Sequence, residues 1–401
     1  MSVKDWLSST VAGGLSAERP AEGIDAAVAW VMKRRAKDDT WRYLGVYRDP
    51  SGRKRSAGSF ATHRDALRAA TRAEVKIGDG RWIDRQAGRI TFETYVETVW
   101  WPSLHLEIST KAAYRSNLDR HFVPFFGDYP LSAILPSLVQ TWVTAALEGG
   151  LSPRSVVKYH VVLHGIFARA VRDRLIAHNP CADTDLPKVV TTQQRIITPE
   201  QFEQLLAAVP DRYRTLVLTA IETGMRWGEL AALRPRHLDL TTGVVRVQET
   251  IVEVSKKDSP TGQRMIIKAY PKDNEPRALR ISTTLTEALQ QRIHDLGLTS
   301  DDLMFGSTRA GGHTPMSRNT FRTRVWVPAT RQAGLEGIRV HDLRHAHASW
   351  LLAGGADLKT VMDRLGHTQI QTTQKYLHTL PDADDKALAA FQRTRSGHRS
   401  E

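Results

Sequence analysis

Between Trp41 and Phe60 apolar and polar positions alternate, with Trp41, Tyr43, Gly45 and Tyr47 on one side. A period of two marks a half-buried strand. Asp49-Pro50-Ser51-Gly52 supplies a turn and Arg53-Lys54-Arg55 opens the return strand, so a small basic hairpin is predicted. Thr62 with Asp65 three residues on resembles a capping box, opening a helix that runs to about Ile77 and stops at Gly78. The residues before this module, 1–26, are rich in Ser, Gly, Ala and Glu with little period and read as a loosely ordered lead-in.

From Ile90 to Lys188 the period becomes helical. Apolar residues recur at that spacing through Phe92 to Leu106, Ala113 to Phe126, Leu138 to Leu147 and Val156 to Leu175. Ser152 is a good N-cap for the last of these and Pro153 suits its first position, while Arg154, Lys158, Arg169 and Arg172 lie between the apolar residues. A basic-sided helical bundle results. Asn179-Pro180 breaks the pattern, and the polar run Pro187 to Arg195 reads as a linker.

The remaining unit opens at Thr198-Pro199-Glu200, another helix start. Val244 to Val254 then reads as one strand, and Arg264 to Tyr270 with Arg277 to Ser282 as a hairpin around Pro271-Lys272-Asp273-Asn274-Glu275-Pro276. Helices resume after Leu285 and dominate to the end. No period of 20 to 50 residues marks a solenoid.

Composition narrows the function. The 401 residues carry 56 Lys and Arg against 43 Asp and Glu, a formal charge of +13 that asks for an anionic partner. Residues 27–85 alone hold 15 basic against 7 acidic side chains, so much of that surplus sits in the first module. No stretch approaches ~18 uninterrupted apolar residues, so neither a membrane span nor a secreted protein is expected. One cysteine, Cys181, permits neither an internal disulfide nor a zinc finger, and a reducing cytoplasmic setting fits.

Four features of the last unit place polar residues where a core would not want them. In Thr223-Gly224-Met225-Arg226-Trp227-Gly228-Glu229-Leu230 one helix ends at Gly224 and another begins after Arg226; alone, Arg226 reads as a surface partner of Glu229. Lys272 alone reads as a solvated turn lysine. In His341-Asp342-Leu343-Arg344-His345, His341 and Arg344 share a helix face, so an imidazole and a guanidinium can address one small anion. His341 and His345 as a metal pair are rejected, because Asp342 stands where zinc proteases need Glu and Arg344 would repel a cation. Leu365-Gly366-His367 ends a helix, and nine residues on Tyr376 lies in a helix predicted over Gln369 to Thr379.

Together these residues make a chemistry. A tyrosine attacking a phosphodiester must lose a proton of pKa ~10, which costs roughly 4 kcal/mol at neutral pH. Two arginines clamping the non-bridging oxygens, a histidine accepting the tyrosine proton and a lysine protonating the leaving alkoxide would offset that cost. Arg226, Lys272, His341, Arg344, His367 and Tyr376 supply that set.

In this order these residues resemble the tyrosine recombinase family, and more narrowly the integrases of phages and integrative elements. Thr-Gly-Met-Arg-Trp-Gly-Glu-Leu, Pro-Lys-Asp, His-Asp-Leu-Arg-His, Leu-Gly-His and Gln-Lys-Tyr are the matching segments. The resemblance implies an α+β multidomain chain: an arm-type DNA-binding domain of β-hairpin and helix (27–88), an all-α core-binding domain (89–188), and a mainly α catalytic domain with a small antiparallel sheet (195–393), followed by a tail (394–401). It implies cleavage of one DNA strand at a time, a covalent bond between Tyr376 and a 3′-phosphate, a Holliday-junction intermediate and a homo-tetramer on double-stranded attachment sites. Neither ATP nor a metal is implied as cofactor, whereas an excisionase and a host DNA-bending factor are expected partners, with the protein nucleoid-associated in a bacterial cell. The lysine transfers least directly, since Lys268 stands close to Lys272.

Read from charge, Arg48, Arg53, Lys54 and Arg55 suit a β-ribbon in a groove, and Arg154 and Lys158 suit a helix along the duplex. Two rival classes share much of this pattern: a type IB topoisomerase, and a DNA-binding protein without catalysis. The complete catalytic set speaks against the second. The added basic N-terminal module favours an integrase over a resolvase of chromosome dimers.

Overall fold

The computed structural model describes residues 29–36, 38–80, 82–83, 87–190, 195–269, 276–307, 314–366, 388 and 391–392. The chain forms two compact units, one of residues up to Ser103 with Phe122–Pro187, the other of Leu104–His121 with the chain from Lys188 onward.

In the first unit the predicted hairpin is β2 (Trp41–Arg48) and β3 (Lys54–Phe60), and a further strand, β1 (Trp30–Arg35), pairs antiparallel with β2 from Trp30↔Val46 to Arg35↔Trp41. Four of the six residues of β1 are exposed, so its sequence carries no alternation to announce it. The turn is organised by Asp49, whose carboxylate accepts from the Ser51 amide and hydroxyl, the Arg53 amide and Arg55 Nε. Burial alone would raise the pKa of Asp49, but these donors outweigh it and hold the group at about 2. Helix α1 (His63–Gly78) starts on Thr62 Oγ1, which accepts from the Asp65 amide at 3.2 Å, and lays Ala66 and Ala70 against the sheet.

The helical part follows the predicted periods closely. A run from α2 (Phe92–Tyr95) through a π turn to Ser103 packs Phe92 on Phe126 and Phe167, each 5.7 Å away between ring centres. Phe126 belongs to α4 (Val123–Phe126) and Phe167 to α6 (Pro153–Arg172), while Trp142 of α5 (Pro136–Glu148) meets Phe122 at 5.5 Å. Ser152 Oγ accepts from the Ser155 amide and begins α6, the predicted N-cap. α3 (Ile108–Asn117) belongs to the second unit.

That unit holds α7 (Pro199–Ala208), α8 (Asp211–Thr223), α9 (Trp227–Ala232), α10 (Thr283–Leu296), α11 (Arg318–Phe321), α12 (Val327–Gln332), α13 (Val340–Ala353) and α14 (Leu358–Leu365). Its core gathers Trp326, Phe305, Phe321, Leu343 and Ala346, with α13 packed on α8. Trp326 Nε1 donates to the Ile338 carbonyl at 2.8 Å and Trp350 Nε1 to that of Ile197 at 3.0 Å, so both indoles are satisfied on entering the core.

Here the strand expectations need correction. Val244 to Val254 is two strands, β5 (Val244–Val247) and β6 (Thr250–Glu253), and they join different sheets. β5 lies between β4 (Leu238–Asp239) and β8 (Arg277–Arg280), whereas β6 pairs with β7 (Met265–Lys268). The expected β7–β8 hairpin is therefore replaced by β6–β7 and β5–β8 pairing. The break falls at Glu249, whose carboxylate is gripped by Arg234 Nε at 3.0 Å and Arg236 Nη2 at 2.5 Å. This nonlocal clamp diverts the chain and leaves no mark in the strand pattern.

Gly228, in the first turn of α9, sets how closely β6 approaches Arg226. A Cβ there would stand 2.5 Å from the Ile251 carbonyl oxygen and 2.6 Å from Thr250 Oγ1. Gly228→Ala is expected to cost about 1–3 kcal/mol by this overpacking. Urea unfolding measures it, and a midpoint equal to that of the wild type would refute the close packing.

Candidate active site

A turn, a helix and a helix end meet in the second unit. Gly224 ends α8 in the left-handed region (φ 62°), packed so tightly that a Cβ would meet His347 Cδ2 at 2.7 Å and Leu365 Cδ2 at 2.8 Å. This brings the turn before Arg226 onto α13 and the end of α14. Gly366 caps α14, also left-handed (φ 66°), as the glycine after the apolar run predicts.

The last carbonyls of a helix lack partners within it, and together they form the negative end of its dipole. At α14 three successive carbonyls are each met by a different arginine. Arg277 Nε donates to the Arg364 carbonyl at 3.0 Å, Arg344 Nη2 to Leu365 at 2.6 Å and Arg226 Nη2 to Gly366 at 3.1 Å. Arg344, 2% exposed, also donates through Nη1 to the Gly224 carbonyl at 2.7 Å. Two predicted site arginines, 118 positions apart in sequence, are thus fixed on adjacent carbonyls.

Glu229 ties the cluster together. Its carboxylate, 1% exposed, accepts from the Arg226 amide at 2.9 Å and from Arg226 Nη1 at 3.2 Å, as the local pairing suggests. It also accepts from Arg277 Nη1 at 3.1 Å and Nη2 at 2.6 Å. Burial pushes its pKa up, but the Arg277 hydrogen bonds and charge, with help from Arg226, bring it below the ordinary carboxylate value. It therefore stays ionised despite its burial.

His341 sits one turn before Arg344 on α13, its ring edge-on to His345 at 4.9 Å. The side chain reaches solvent, yet the atoms packed around the ring strip water from it, and His345 and Arg344 add positive potential. These effects hold the imidazole down at about 4, so it is neutral at neutral pH and able to accept a proton. Lys268, the alternative lysine, is half-buried and ion-paired with Glu107 just before α3. Lys272, His367 and Tyr376 lie outside the described residues. Among the described ones, Arg226 and Arg344 meet on the last carbonyls of α14, immediately before His367 in the chain, and His341 lies one turn before Arg344 on α13.

Sequence reasoning missed three residues. In the sequence Arg277 marks only the start of a strand, and nothing singles out Arg364 or His347. His347, 5% exposed, accepts from Arg364 Nε at 3.1 Å and hydrogen-bonds the Ile221 backbone. Arg364 Nη2 in turn donates to the carbonyls of Glu222 and Arg280. Their partners lie far off in sequence, so no local pattern exposes them.

The candidate DNA-contacting residues are placed as follows. Arg48, Arg53 and Lys54 are exposed around the turn between β2 and β3, with Arg48 and Lys54 5.9 Å and 5.8 Å from the Trp30 ring centre. Arg55 is committed to Asp49. Arg154 and Lys158 are exposed on the first turns of α6.

Two guanidiniums are thus anchored side by side at the end of α14, with a neutral imidazole one turn before Arg344 on α13. Known proteins point the same way. The sequence profile of the phage integrase family matches residues 195–382, and that of the phage integrase N-terminal SAM-like domain matches residues 91–147. The chain belongs to this family, the tyrosine recombinases. It is 29% identical over 304 residues, 75% of its length and 78% of the relative's, to a prophage phiRv2 integrase of Mycobacterium tuberculosis. The integrase of transposon Tn1549, solved with transposon right end DNA, superposes with a TM-score of 0.62 at 19% identity, over 76% of this chain and 99% of that one. Lambda integrase, solved as a tetramer on a Holliday junction, does so with a TM-score of 0.53 at 21% identity, over 83% and 92%. At these identities the structural likeness establishes the fold.

The depressed histidines make stability depend on pH. Unfolded imidazoles take up protons near the ordinary value of 6.5, whereas His341 and His347 resist until about 4 and about 3. In that window the unfolded chain binds more protons, so stability is whole above pH 6.5 and falls as pH drops towards 3. Urea midpoints should fall between about pH 7 and about pH 5, and less steeply in His347→Asn. An equal slope in that variant would contradict the assignment.

Proposed function

We infer that this chain is a site-specific DNA recombinase, an integrase that cuts and rejoins DNA through a 3′-phosphotyrosyl intermediate to integrate a phage or mobile element and, with a directionality factor, to excise it. The observation that carries the site reading is the anchoring of Arg226 and Arg344 on the Gly366 and Leu365 carbonyls. Both guanidiniums are thereby held where His367 follows in the chain.

In the reaction Tyr376 Oη attacks phosphorus, the bond from oxygen to phosphorus forms, and the bond from phosphorus to O5′ of the next nucleotide breaks. The tyrosine proton passes to a neutral imidazole, for which His341 has the right protonation state. Lys272 protonates the departing O5′. Arg226 and Arg344 with His367 stabilise the charge on the non-bridging oxygens, where each such donor is worth on the order of 100-fold or more in rate. The ion pair of Lys268 with Glu107 favours Lys272 for the acid role. The reverse attack, by the 5′-hydroxyl of another strand, rejoins the DNA and restores Tyr376, so the bond energy is conserved.

The relatives' complexes support double-stranded attachment sites as substrate and a tetramer as the working assembly. The sheet of β1 to β3 with its basic turn serves arm-type sites, and Arg154 and Lys158 on α6 serve the crossover site. An excisionase and a host DNA-bending factor fit this scheme as partners, with the protein held on the bacterial nucleoid. No helix among the described residues is long and apolar enough to cross a membrane.

The test is a nicked suicide substrate bearing a candidate attachment site. Wild type should accumulate a covalent protein–DNA adduct, and Tyr376→Phe should form none. Absence of an adduct from wild type refutes catalysis, and relaxation of supercoiled DNA without sequence preference would indicate a topoisomerase instead.

A further inference from the structure

Arg277 is 8% exposed on its side chain and spans two parts of the site at once. Nη1 and Nη2 hold both oxygens of Glu229, and Nε holds the Arg364 carbonyl at the end of α14. Gly366 leaves room for it: a Cβ there would stand 3.2 Å from Arg277 Nη1. Glu229 is a buried carboxylate that must be paired to stay where it is. Arg226 touches the same carboxylate with Nη1, while its Nη2 goes to Gly366.

We propose that Arg277 is a positioning residue for DNA cleavage: by neutralising Glu229 through a two-pronged pair, it keeps Arg226 from closing onto that carboxylate and so leaves the Arg226 guanidinium available to the scissile phosphate. The proposal rests on Arg226 being a phosphate clamp. Without Arg277, Glu229 retains a full charge in a buried place, and Arg226, already on the same carboxylate, is drawn in to satisfy it. A guanidinium drawn towards Glu229 loses its register on the Gly366 carbonyl and its aim at phosphate. Displacements of about 1 Å in such a site cost on the order of 100-fold in rate.

The link makes a prediction that a purely structural arginine would not. In Arg277→Gln the rate of covalent adduct formation on the nicked substrate should fall on the order of 100-fold, with the half-saturating DNA concentration unchanged. Removing the charge that Arg277 balances should relieve the defect, so Glu229→Gln combined with Arg277→Gln should cleave about 10-fold faster than Arg277→Gln alone. Arg277→Lys keeps the charge but cannot bridge both oxygens and the carbonyl. It should cleave more slowly than wild type but faster than Arg277→Gln, at unchanged DNA affinity, and its deficit against wild type decides the matter if the glutamine variant does not fold. Wild-type cleavage by either single variant, or a double variant no faster than Arg277→Gln, overturns the proposal. Arg226→Gln, measured alongside, separates the two readings: wild-type cleavage by that variant would sink the phosphate clamp itself.

Discussion

The unmet carbonyls at the C-terminus of α14 are the constraint on which the rest of the site depends. A helix end leaves its last carbonyls without partners, and here each of three is met by a guanidinium from a different element. The chain that continues from Gly366 carries His367 and then Tyr376. One set of hydrogen bonds therefore locates Arg226, Arg344 and the point from which the chain runs on to His367 in one frame. The left-handed caps at Gly224 and Gly366, and the absence of a side chain at Gly228, are the local conditions that let these elements come so close.

Charge in this protein serves two tasks. Eight of the surplus of 13 positive charges lie in residues 27–85, a charge of the sign that a DNA backbone attracts. A few arginines are instead buried and aimed, and these need counter-charges and acceptors to exist at all. Glu229 and the α14 carbonyls are those acceptors. Burial, with the same cationic crowding, keeps His341 and His347 neutral beside these fixed positive charges.

What could be read in the sequence was what is local. The Asp49 turn, the caps at Thr62, Ser152 and Thr198, and the glycines at 224 and 366 appear where residue chemistry demands them. The motifs single out Arg226, His341 and Arg344, and the structure sets two of them, Arg226 and Arg344, on adjacent carbonyls. Nonlocal features stayed hidden. β1 has no alternation, the swap of strand partners is imposed by Arg234 and Arg236 on Glu249, and Arg277 acts on residues 48 and 87 positions away. The roles of Lys272, His367 and Tyr376 rest on their motifs, since these residues lie outside the described part.

The central claim is that Arg226 and Arg344 clamp one scissile phosphate attacked by Tyr376. A crystal structure of the protein on a nicked attachment-site duplex with orthovanadate tests it most directly, because vanadate mimics five-coordinate phosphorus. The account predicts vanadate bonded to Tyr376 Oη, with guanidinium nitrogens of Arg226 and Arg344 on its equatorial oxygens. Vanadate bonded to another residue, or with either arginine turned away from it, would contradict the account.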